Sequence, residues 1–312
     1  MSVYPKCANS FIKYLNLNTK LLDTYILTKI NNVKPFDVTL RDGLQALTKE
    51  EQNAFTTQKK QNLYNLILQS YEPKNMEIGS IVNKKLLPIF DDTEEIFNYA
   101  EVNNKYCKSL EHYILIPNHR ELINGLRMGV TNFSFIASVS NNFQIKNTKM
   151  TFDENYSNIM NMMVYLDDLK FNNYKVKLYI SCINECPIDG YINNDEIIKK
   201  LVKFNELKPD RLCLSDTCGT LNVKDFCKII NGLKNNNIDI SKISLHLHVK
   251  PEREYITENI VHIALDNGIN EFDVSALNTG GCSVTMDRNK IAPNMSYEQY
   301  YKFITNYLIK NI

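Results

Sequence analysis

Eight short apolar segments alternate with longer segments of helical periodicity from Pro35 to the end of this chain. The predicted strands cover residues 36–40, 76–79, 112–116, 133–137, 176–181, 212–215, 243–249 and 272–276. The predicted helices cover residues 49–68, 92–100, 120–128, 155–169, 194–204, 223–233, 252–266 and 297–309. Strands that alternate with helices predict a parallel α/β sheet, and eight such units predict a (β/α)8 TIM barrel. A doubly wound sheet is the main alternative, but no Gly-x-Gly-x-x-Gly motif follows the first strand.

The chain is predicted to contain one barrel domain preceded by a short helical extension. Residues 1–33 have the pattern of one or two helices. The apolar residues available for a buried face there include Phe11, Tyr14, Leu15 and Leu22. No linker or change of composition divides residues 34–312, which therefore form the predicted catalytic barrel. The total of 312 residues suits this interpretation, since such a barrel takes roughly 250 residues.

Composition excludes several classes of protein. A hydrophobic content of 44% with 23% charged residues is typical of a globular protein, and a net charge of +1 gives no support for binding nucleic acid or a membrane surface. No stretch has the roughly 18 apolar residues of a membrane helix, and the first residues lack the pattern of a secretory signal. The eight cysteines form no dense disulfide framework. We therefore expect a cytoplasmic location.

Polar residues follow most of the predicted strands. In a parallel barrel the carboxyl ends of all strands open on one face, so these side chains are expected to converge. In chain order they are Arg41, Asp42, Gln45, Glu77, Ser80, Asn118, Ser138, Ser140, Ser181, Cys182, Asp216 and Thr217. Taken alone, the adjacent Arg41 and Asp42 are more typical of a surface ion pair, and the other strand ends make an active site the better interpretation.

His246 and His248 are the most specific local signal. Two residues apart on a strand, both imidazoles project from one face, which suits a divalent metal. A pair of half-buried structural histidines is the alternative. With Asp42 across the barrel mouth, a site of mixed nitrogen and oxygen ligands becomes the better interpretation, for Mg²⁺, Mn²⁺ or Zn²⁺. Cys182 and Cys186 have the spacing of half a zinc site, but the sequence has no matching second half.

The predicted eighth strand is followed by Gly280, Gly281 and Cys282. Two glycines permit a mobile loop that approaches a ligand closely, as the lids of active sites require. A thiol beside a cationic centre can act as an acid or a nucleophile. A plain glycine turn followed by a small apolar residue is the alternative.

With these motifs in view, the chain resembles the hydroxymethylglutaryl-CoA (HMG-CoA) lyase family, within a group of barrel metallolyases that includes the isopropylmalate, homocitrate and citramalate synthases. The motifs that carry the resemblance are Arg-Asp-Gly-Leu-Gln (41–45), Glu77 with Ser80, Pro117-Asn118, Ser138-Val-Ser140, Ser181-Cys182, Cys186-Pro187, Ser215-Asp-Thr217 with Gly219, His-x-His (246–248) and Gly-Gly-Cys (280–282). The Gly-Gly-Cys loop and the Cys-Pro pair favour the lyase, whereas Thr39-Leu40 is closer to the synthases.

The resemblance implies roles for individual residues. Asp42, His246 and His248 would hold the cation, with Asn294 as the fourth protein ligand and Asn289 as the fallback. Arg41 would stabilise an enolate oxygen, and Cys282 would deliver the proton that completes acetyl-CoA. Glu77 and Asp216 are candidates for the hydroxyl-proton relay, in which Asp42 and His246 are also placed. The residues expected to contact the bound CoA substrate are Gln45, Asn118, Ser138 and Ser140.

The implied reaction is cleavage of HMG-CoA, or a similar 3-hydroxyacyl-CoA, to acetyl-CoA and acetoacetate or a related keto acid, by a homodimer. One alternative is a synthase that condenses acetyl-CoA with a 2-oxo acid. Another is a barrel that has lost turnover and acts as a binding protein. Val249, where the family usually has an aspartate, and the early end of the chain keep that last alternative open.

Overall fold

Eight parallel strands close into a barrel in the part of the chain that the computed structural model describes, which is residues 33, 35–104, 110–169, 173–281, 285–286 and 291–311. In chain order the strands are β1 (Phe36–Asp37), β2 (Asn75–Ser80), β3 (Glu111–Leu115), β4 (Asn132–Ser138), β5 (Lys175–Ser181), β6 (Glu185–Cys186), β7 (Gly190–Tyr191), β8 (Arg211–Asp216), β9 (Ile243–Leu247) and β10 (Asp273–Val274). β6 and β7 form a separate antiparallel hairpin. The other eight lie in the order β10-β1-β2-β3-β4-β5-β8-β9, and a parallel bridge from Leu245 to Phe272 joins the two ends. The predicted (β/α)8 barrel is confirmed.

Helices connect consecutive barrel strands and cover the outside of the sheet. They are α1 (Lys49–Ala54), α2 (Thr57–Tyr71), α3 (Thr93–Asn104), α4 (His119–Arg127), α5 (Asn141–Thr148), α6 (Phe152–Asp168), α7 (Asn194–Asn205), α8 (Val223–Asn235), α9 (Glu254–Asp266) and α10 (Tyr297–Lys310). Most begin after a Ser, Thr or Asn whose side chain accepts a hydrogen bond from an N–H of the first turn, and α1, α6 and α10 have a full capping box. These caps fix where each helix leaves the strand before it.

Polar side chains cross the interior of the barrel. Lys177 on β5 reaches Asp273 on β10 at 2.5 Å, and the Tyr179 ring meets the His246 ring of β9 at 5.8 Å. Neither pair lies on neighbouring strands, so both contacts cross the interior of the barrel. The large apolar cluster lies mainly between the sheet and the helices, where strands buried on both faces need it.

The first strand is shorter than predicted. It ends at Asp37, because residues Thr39–Gly43 form one π-helical turn instead of continuing the strand to residue 40. The Asp37 carboxylate accepts hydrogen bonds from Thr39 N at 3.0 Å and Thr39 Oγ1 at 2.9 Å, which starts this turn. A Cβ at Gly43 would lie 2.9 Å from Ser275 Oγ, so the close approach requires glycine. The turn carries Arg41 and Asp42 into the barrel mouth.

Other differences from prediction are local. The single helix predicted over 49–68 is two helices, since Thr56 caps a second one. Helix α5 and the β6–β7 hairpin were not predicted. The helices predicted within residues 1–33 lie outside the described residues, apart from Val33, whose carbonyl accepts a 2.5 Å hydrogen bond from the Tyr300 hydroxyl. Among the described helices, none has the length and apolar character needed to cross a membrane.

Candidate metal centre and active site

A cavity of about 350 Å³ opens at the carboxyl ends of the barrel strands. The turn after β1 contributes Arg41, Asp42 and Gln45, and the start of α4 contributes Asn118. The later strands and the loops after them contribute Tyr179, Ser181, Ser215, Thr217, His246, His248 and Gly281. The structure thus brings residues from both ends of the sequence to one face of the barrel, as the convergence of strand ends predicts.

Asp42, His246 and His248 form a compact cluster of metal-ligating groups. Their ligand atoms all lie within 4.8 Å of one another, and all three side chains are buried. The two imidazole Nε2 atoms are 3.2 Å apart, and His246 Nε2 lies 3.9 Å from Asp42 Oδ2. In the described part of the chain, no other group of three His, Cys, Asp or Glu side chains has this geometry. Cys182 and Cys186 therefore find no third ligand among the described residues.

The two histidines are held so that their Nε2 atoms face the cluster. His246 Nδ1 lies 3.0 Å from Asp273 Oδ2, and His248 Nδ1 lies 2.8 Å from the carbonyl oxygen of Ala292. Both partners are acceptors, which assigns the proton to Nδ1 and leaves each Nε2 lone pair for a ligand. Burial, together with the neighbouring His246, lowers the pKa of His248 to about 4. His248 is therefore neutral near pH 7, as metal ligation requires.

Asp42 is held ionised by its surroundings. Its Oδ2 accepts hydrogen bonds from Gly281 N and Asn294 Nδ2, both at 2.9 Å, and its Oδ1 accepts one from Arg41 Nη1 at 2.5 Å. Burial alone would raise the pKa of this carboxyl, but the Arg41 guanidinium and then the two imidazoles outweigh it and hold the pKa well below its usual range. A carboxylate is thus available to a cation at any physiological pH.

Asn294 completes the cluster. An antiparallel bridge pairs its backbone with His248, and its buried side chain points at Asp42. The Asn294 Oδ1 atom has no hydrogen-bond partner among the described residues. A buried amide oxygen without a partner is rare, and here it belongs to a side chain that is hydrogen-bonded to the Asp42 carboxylate of the cluster. This set of nitrogen and oxygen donors fits a divalent cation.

The two candidate asparagine ligands can be separated by substitution. We expect Asn294→Ala to weaken Mn²⁺ binding at least about tenfold, because it removes the unpartnered oxygen and a hydrogen-bond donor to Asp42. Asn289→Ala, at a residue outside the described part of the chain, is the matched variant and is expected to keep its affinity. Isothermal titration of both proteins with Mn²⁺ measures the difference. The reverse order of affinities would make Asn289 the ligand.

Arg41 lies between two carboxylates and an aromatic ring. Its Nε donates to Glu77 Oε2, its Nη1 donates to Asp42, and its Cζ lies 5.4 Å from the centre of the Tyr179 ring. Burial alone would lower the pKa of the guanidinium. The negative charges of Glu77 and Asp42 raise it by more than burial lowers it, so Arg41 stays charged. The second oxygen of Glu77, Oε1, is buried without a partner among the described residues.

The predicted substrate-contact residues separate into two groups. Gln45 and Asn118 line the cavity, although Asn118 Oδ1 also caps α4 by accepting from Glu121 N at 3.1 Å. Ser138 and Ser140 do not belong to the cavity wall. Ser138 Oγ donates to the Ser181 carbonyl oxygen, while Ser140 Oγ caps α5 and donates to Asp189 at 2.6 Å. Their hydrogen bonds give both serines a structural role.

Asp216 and Cys282 remain from the predicted catalytic set. Both carboxylate oxygens of Asp216 accept backbone hydrogen bonds at 3.0 Å, from Thr220 N and Leu221 N, and Asp216 does not line the cavity. These contacts stabilise the turn after β8. They explain the presence of an aspartate at position 216 without a role in proton transfer. Cys282 lies outside the described residues, directly after Gly281.

Asp216 should leave a signature in the pH dependence of stability. Burial raises its pKa to about 6, against the opposing hydrogen bonds from Leu221 and Thr220, whereas an unfolded chain has the ordinary value of 3.8. The protonated Asp216 carboxyl contributes fully to the stability of the folded state below about pH 4. This contribution is lost as the pH rises to about 6, because the folded state keeps the proton up to a higher pH than the unfolded state does. We expect the unfolding free energy of Asp216→Asn, measured by urea denaturation, to fall less from about pH 4 to about pH 6 than that of the unmodified protein. An equal fall in both proteins would contradict this assignment.

Sequence reasoning missed Tyr179 and Asp273. Both lie inside predicted strands at positions whose side chains face the barrel interior, where polar residues need partners. The available signal was a polar residue within an otherwise apolar strand. Its partner, however, lies on a strand distant in sequence, so the sequence could not identify it.

Comparison with known proteins identifies the family to which this chain is similar in sequence and fold. The HMGL-like family model matches residues 32–303. The chain is 23% identical over 250 residues to the hydroxymethylglutaryl-CoA lyase of Pseudomonas mevalonii, covering 80% of this chain and 78% of that protein. The crystal structure of the corresponding lyase from Pseudomonas aeruginosa matches with a TM-score of 0.74 at 20% identity, covering 89% of this chain and 86% of that one. An HMG-CoA lyase from Acinetobacter baumannii, in complex with coenzyme A and 3-methylmalate, matches with a TM-score of 0.72 at 21% identity, covering 89% and 84%.

Proposed function

Since the chain belongs to the HMGL-like family and is therefore a lyase, we propose that it cleaves HMG-CoA, or a similar 3-hydroxyacyl-CoA, to acetyl-CoA and a keto acid with the help of a divalent cation. The observation that carries the proposal is the cluster of Asp42, His246 and His248, which shares one cavity with Arg41 and to which Asn294 is joined by its hydrogen bond to Asp42. The coenzyme A bound in the Acinetobacter relative supports a CoA thioester as the substrate.

The proposed roles follow from the contacts of each residue. A divalent cation held by Asp42, His246, His248 and Asn294 would supply Lewis acidity that lowers the pKa of a bound hydroxyl. Arg41 places a fixed positive charge beside this cluster and stabilises the negative charge that develops on the thioester oxygen. The fixed position of Arg41 depends on Glu77 and Asp42, which accept its hydrogen bonds on two sides.

Proton transfer needs an acceptor and a donor. Glu77 Oε1 is a buried carboxylate oxygen with no partner in the described part of the chain, whereas both oxygens of Asp42 already accept hydrogen bonds. Glu77 does not line the cavity, however, whereas Asp42 does, so Asp42 is the better candidate to receive the hydroxyl proton, and Glu77 positions Arg41. We assign the return of a proton to the enolate carbon to Cys282, on the strength of the family resemblance and its place after Gly281.

The substitution at Val249 does not weaken this proposal. Val249 is buried, its N–H donates to the Pro293 carbonyl oxygen at 2.8 Å, and its side chain does not line the cavity. The valine therefore removes no side-chain contact within the cavity.

The direct test mixes the purified full chain with Mn²⁺ or Mg²⁺ and HMG-CoA, and measures acetyl-CoA and acetoacetate. We expect both products in equal amounts, and we expect chelation by EDTA to abolish them. Thioesters with longer 3-substituents, added in parallel, identify the preferred acyl group. Release of free CoA from acetyl-CoA in the presence of a 2-oxo acid would identify a synthase instead. Failure of both reactions would contradict a catalytic barrel of this group.

The homodimer and the cytoplasmic location stay predictions from the resemblance and the composition. Light scattering of the full chain measures the first, and imaging of the tagged protein in its source cells measures the second. Neither outcome changes the chemistry of the cluster, because every donor described here comes from a single chain.

A further inference from the structure

The hydroxyl of Tyr179 is buried in the site without a hydrogen-bond partner among the described residues. Other buried tyrosines of this protein do have one. The Tyr64 hydroxyl lies 2.9 Å from His112 Nε2, Tyr297 donates to Asp37 at 2.8 Å, and Tyr300 donates to the carbonyl oxygen of Val33. Buried phenol groups are generally paired, so the unpartnered Tyr179 hydroxyl needs an explanation.

The ring of Tyr179 is held firmly in place. Its edge-to-face contact with the His246 ring has an interplanar angle of 86°, and the Arg41 guanidinium lies over it. The Lys177 ammonium lies 5.2 Å from the ring centre and is itself fixed by Asp273. These contacts fix the orientation of the ring, and Tyr179 is one of the residues that line the cavity.

Arg41 and Tyr179 offer donors to the same space. The hydrogen bonds of Arg41 to described residues use Nε and Nη1, and Arg41 lines the cavity, so its Nη2 is the donor available to a ligand. The phenol of Tyr179 is a neutral donor next to it. Two donors of different kinds on neighbouring residues of one cavity form an arrangement that can stabilise a developing oxyanion.

We propose that Tyr179 is a further catalytic residue, whose hydroxyl donates a hydrogen bond to the same thioester oxygen that Arg41 stabilises. The proposal rests on the proposed lyase function. During cleavage the bond between C2 and C3 breaks, and its electron pair passes to C2 and the thioester oxygen. The 3-hydroxyl proton goes to a base, C3 becomes the ketone, and C2 takes up a proton. Tyr179 keeps its proton throughout, and its hydrogen bond strengthens as charge builds on the oxygen.

Tyr179→Phe removes only the hydroxyl and is the variant that tests this role. We expect kcat to fall about 10- to 100-fold, the range for a hydrogen bond to a charged group, with KM changed less than about threefold. Mn²⁺ affinity and the melting temperature should stay at the values of the unmodified protein. Tyr113→Phe is the matched control, because the Tyr113 hydroxyl lies 3.5 Å from Glu111 and does not line the cavity.

Binding of an enolate mimic separates this inference from the proposed function. S-carboxymethyl-CoA carries a carboxymethyl group, with its planar carboxylate, in place of the acetyl group. It should bind Tyr179→Phe about tenfold more weakly than it binds the unmodified protein. Suppose that the unmodified protein cleaves no 3-hydroxyacyl-CoA but binds the mimic about tenfold more tightly than Tyr179→Phe does. The lyase proposal then fails, and the role of Tyr179 as a hydrogen-bond donor stands. Equal affinities with kcat within about threefold, or no binding of the mimic to the unmodified protein, would overturn the role of Tyr179.

Discussion

Replacing His246 by alanine is expected to reduce acetyl-CoA formation by about 1,000-fold or more. The residue offers its Nε2 to the cluster, 3.2 Å from His248 Nε2, and loss of a bound cation removes several kcal/mol of stabilisation from the transition state. Mn²⁺ binding should weaken in parallel. Turnover of HMG-CoA and the electron paramagnetic resonance signal of free Mn²⁺ measure the two effects independently.

His262→Ala is the matched control for this substitution. His262 lies on α9, where its Nε2 is 3.0 Å from the carbonyl oxygen of Phe303, far from the cavity wall. We expect this variant to retain the turnover and Mn²⁺ affinity of the unmodified protein. If His246→Ala also retained its Mn²⁺ affinity, the imidazole would have to be reassigned to packing.

Replacing Arg41 by lysine is expected to lower kcat roughly 100- to 1,000-fold, the usual cost of losing a donor to a developing oxyanion. Arg41 donates to Glu77 through Nε and to Asp42 through Nη1 while still facing the cavity. The single ammonium group of lysine does not reproduce this fork of planar donors. Steady-state kinetics at saturating Mn²⁺ measure kcat and KM separately.

Arg253→Lys provides the comparison for Arg41. The Arg253 guanidinium donates from Nη2 to the carbonyl oxygens of Thr220 and Leu221, both at 2.9 Å, and it does not line the cavity. A loss of kcat confined to the Arg41 variant is the expected outcome. Equal losses in both variants would point to a general effect on folding instead of a role for Arg41 in the reaction.

The barrel was predictable because its main determinant is a repeated pattern. Eight apolar segments followed by helical ones leave few topologies, and the polar residues at their ends converge in any closed parallel barrel. The failures are local. Helix α5 has eight residues with little apolar periodicity, and the strands of the β6–β7 hairpin have two residues each, so neither produces a sequence pattern. The π-helical turn after Asp37 is joined by a hydrogen bond from Ala276 N to Thr39 Oγ1, and Ala276 lies far along the chain.

The site was predictable only in part, for a related reason. His246 and His248 are recognisable from their spacing, but serines and aspartates at strand ends have two common uses. At these positions they bind ligands or cap backbone N–H groups. Ser140 and Asp216 cap the backbone, whereas Asp42 belongs to the candidate metal-binding cluster. The choice depends on the path of the backbone after each strand, which the local sequence does not specify.

Anomalous diffraction at the manganese edge, from crystals of the full chain grown with Mn²⁺, tests the central claim most directly. That claim is that Asp42, His246 and His248 bind one cation together. The expected result is a single strong peak among these three side chains, with Asn294 Oδ1 facing it. A map without a peak there, or with its strongest peak elsewhere in the protein, would contradict the account.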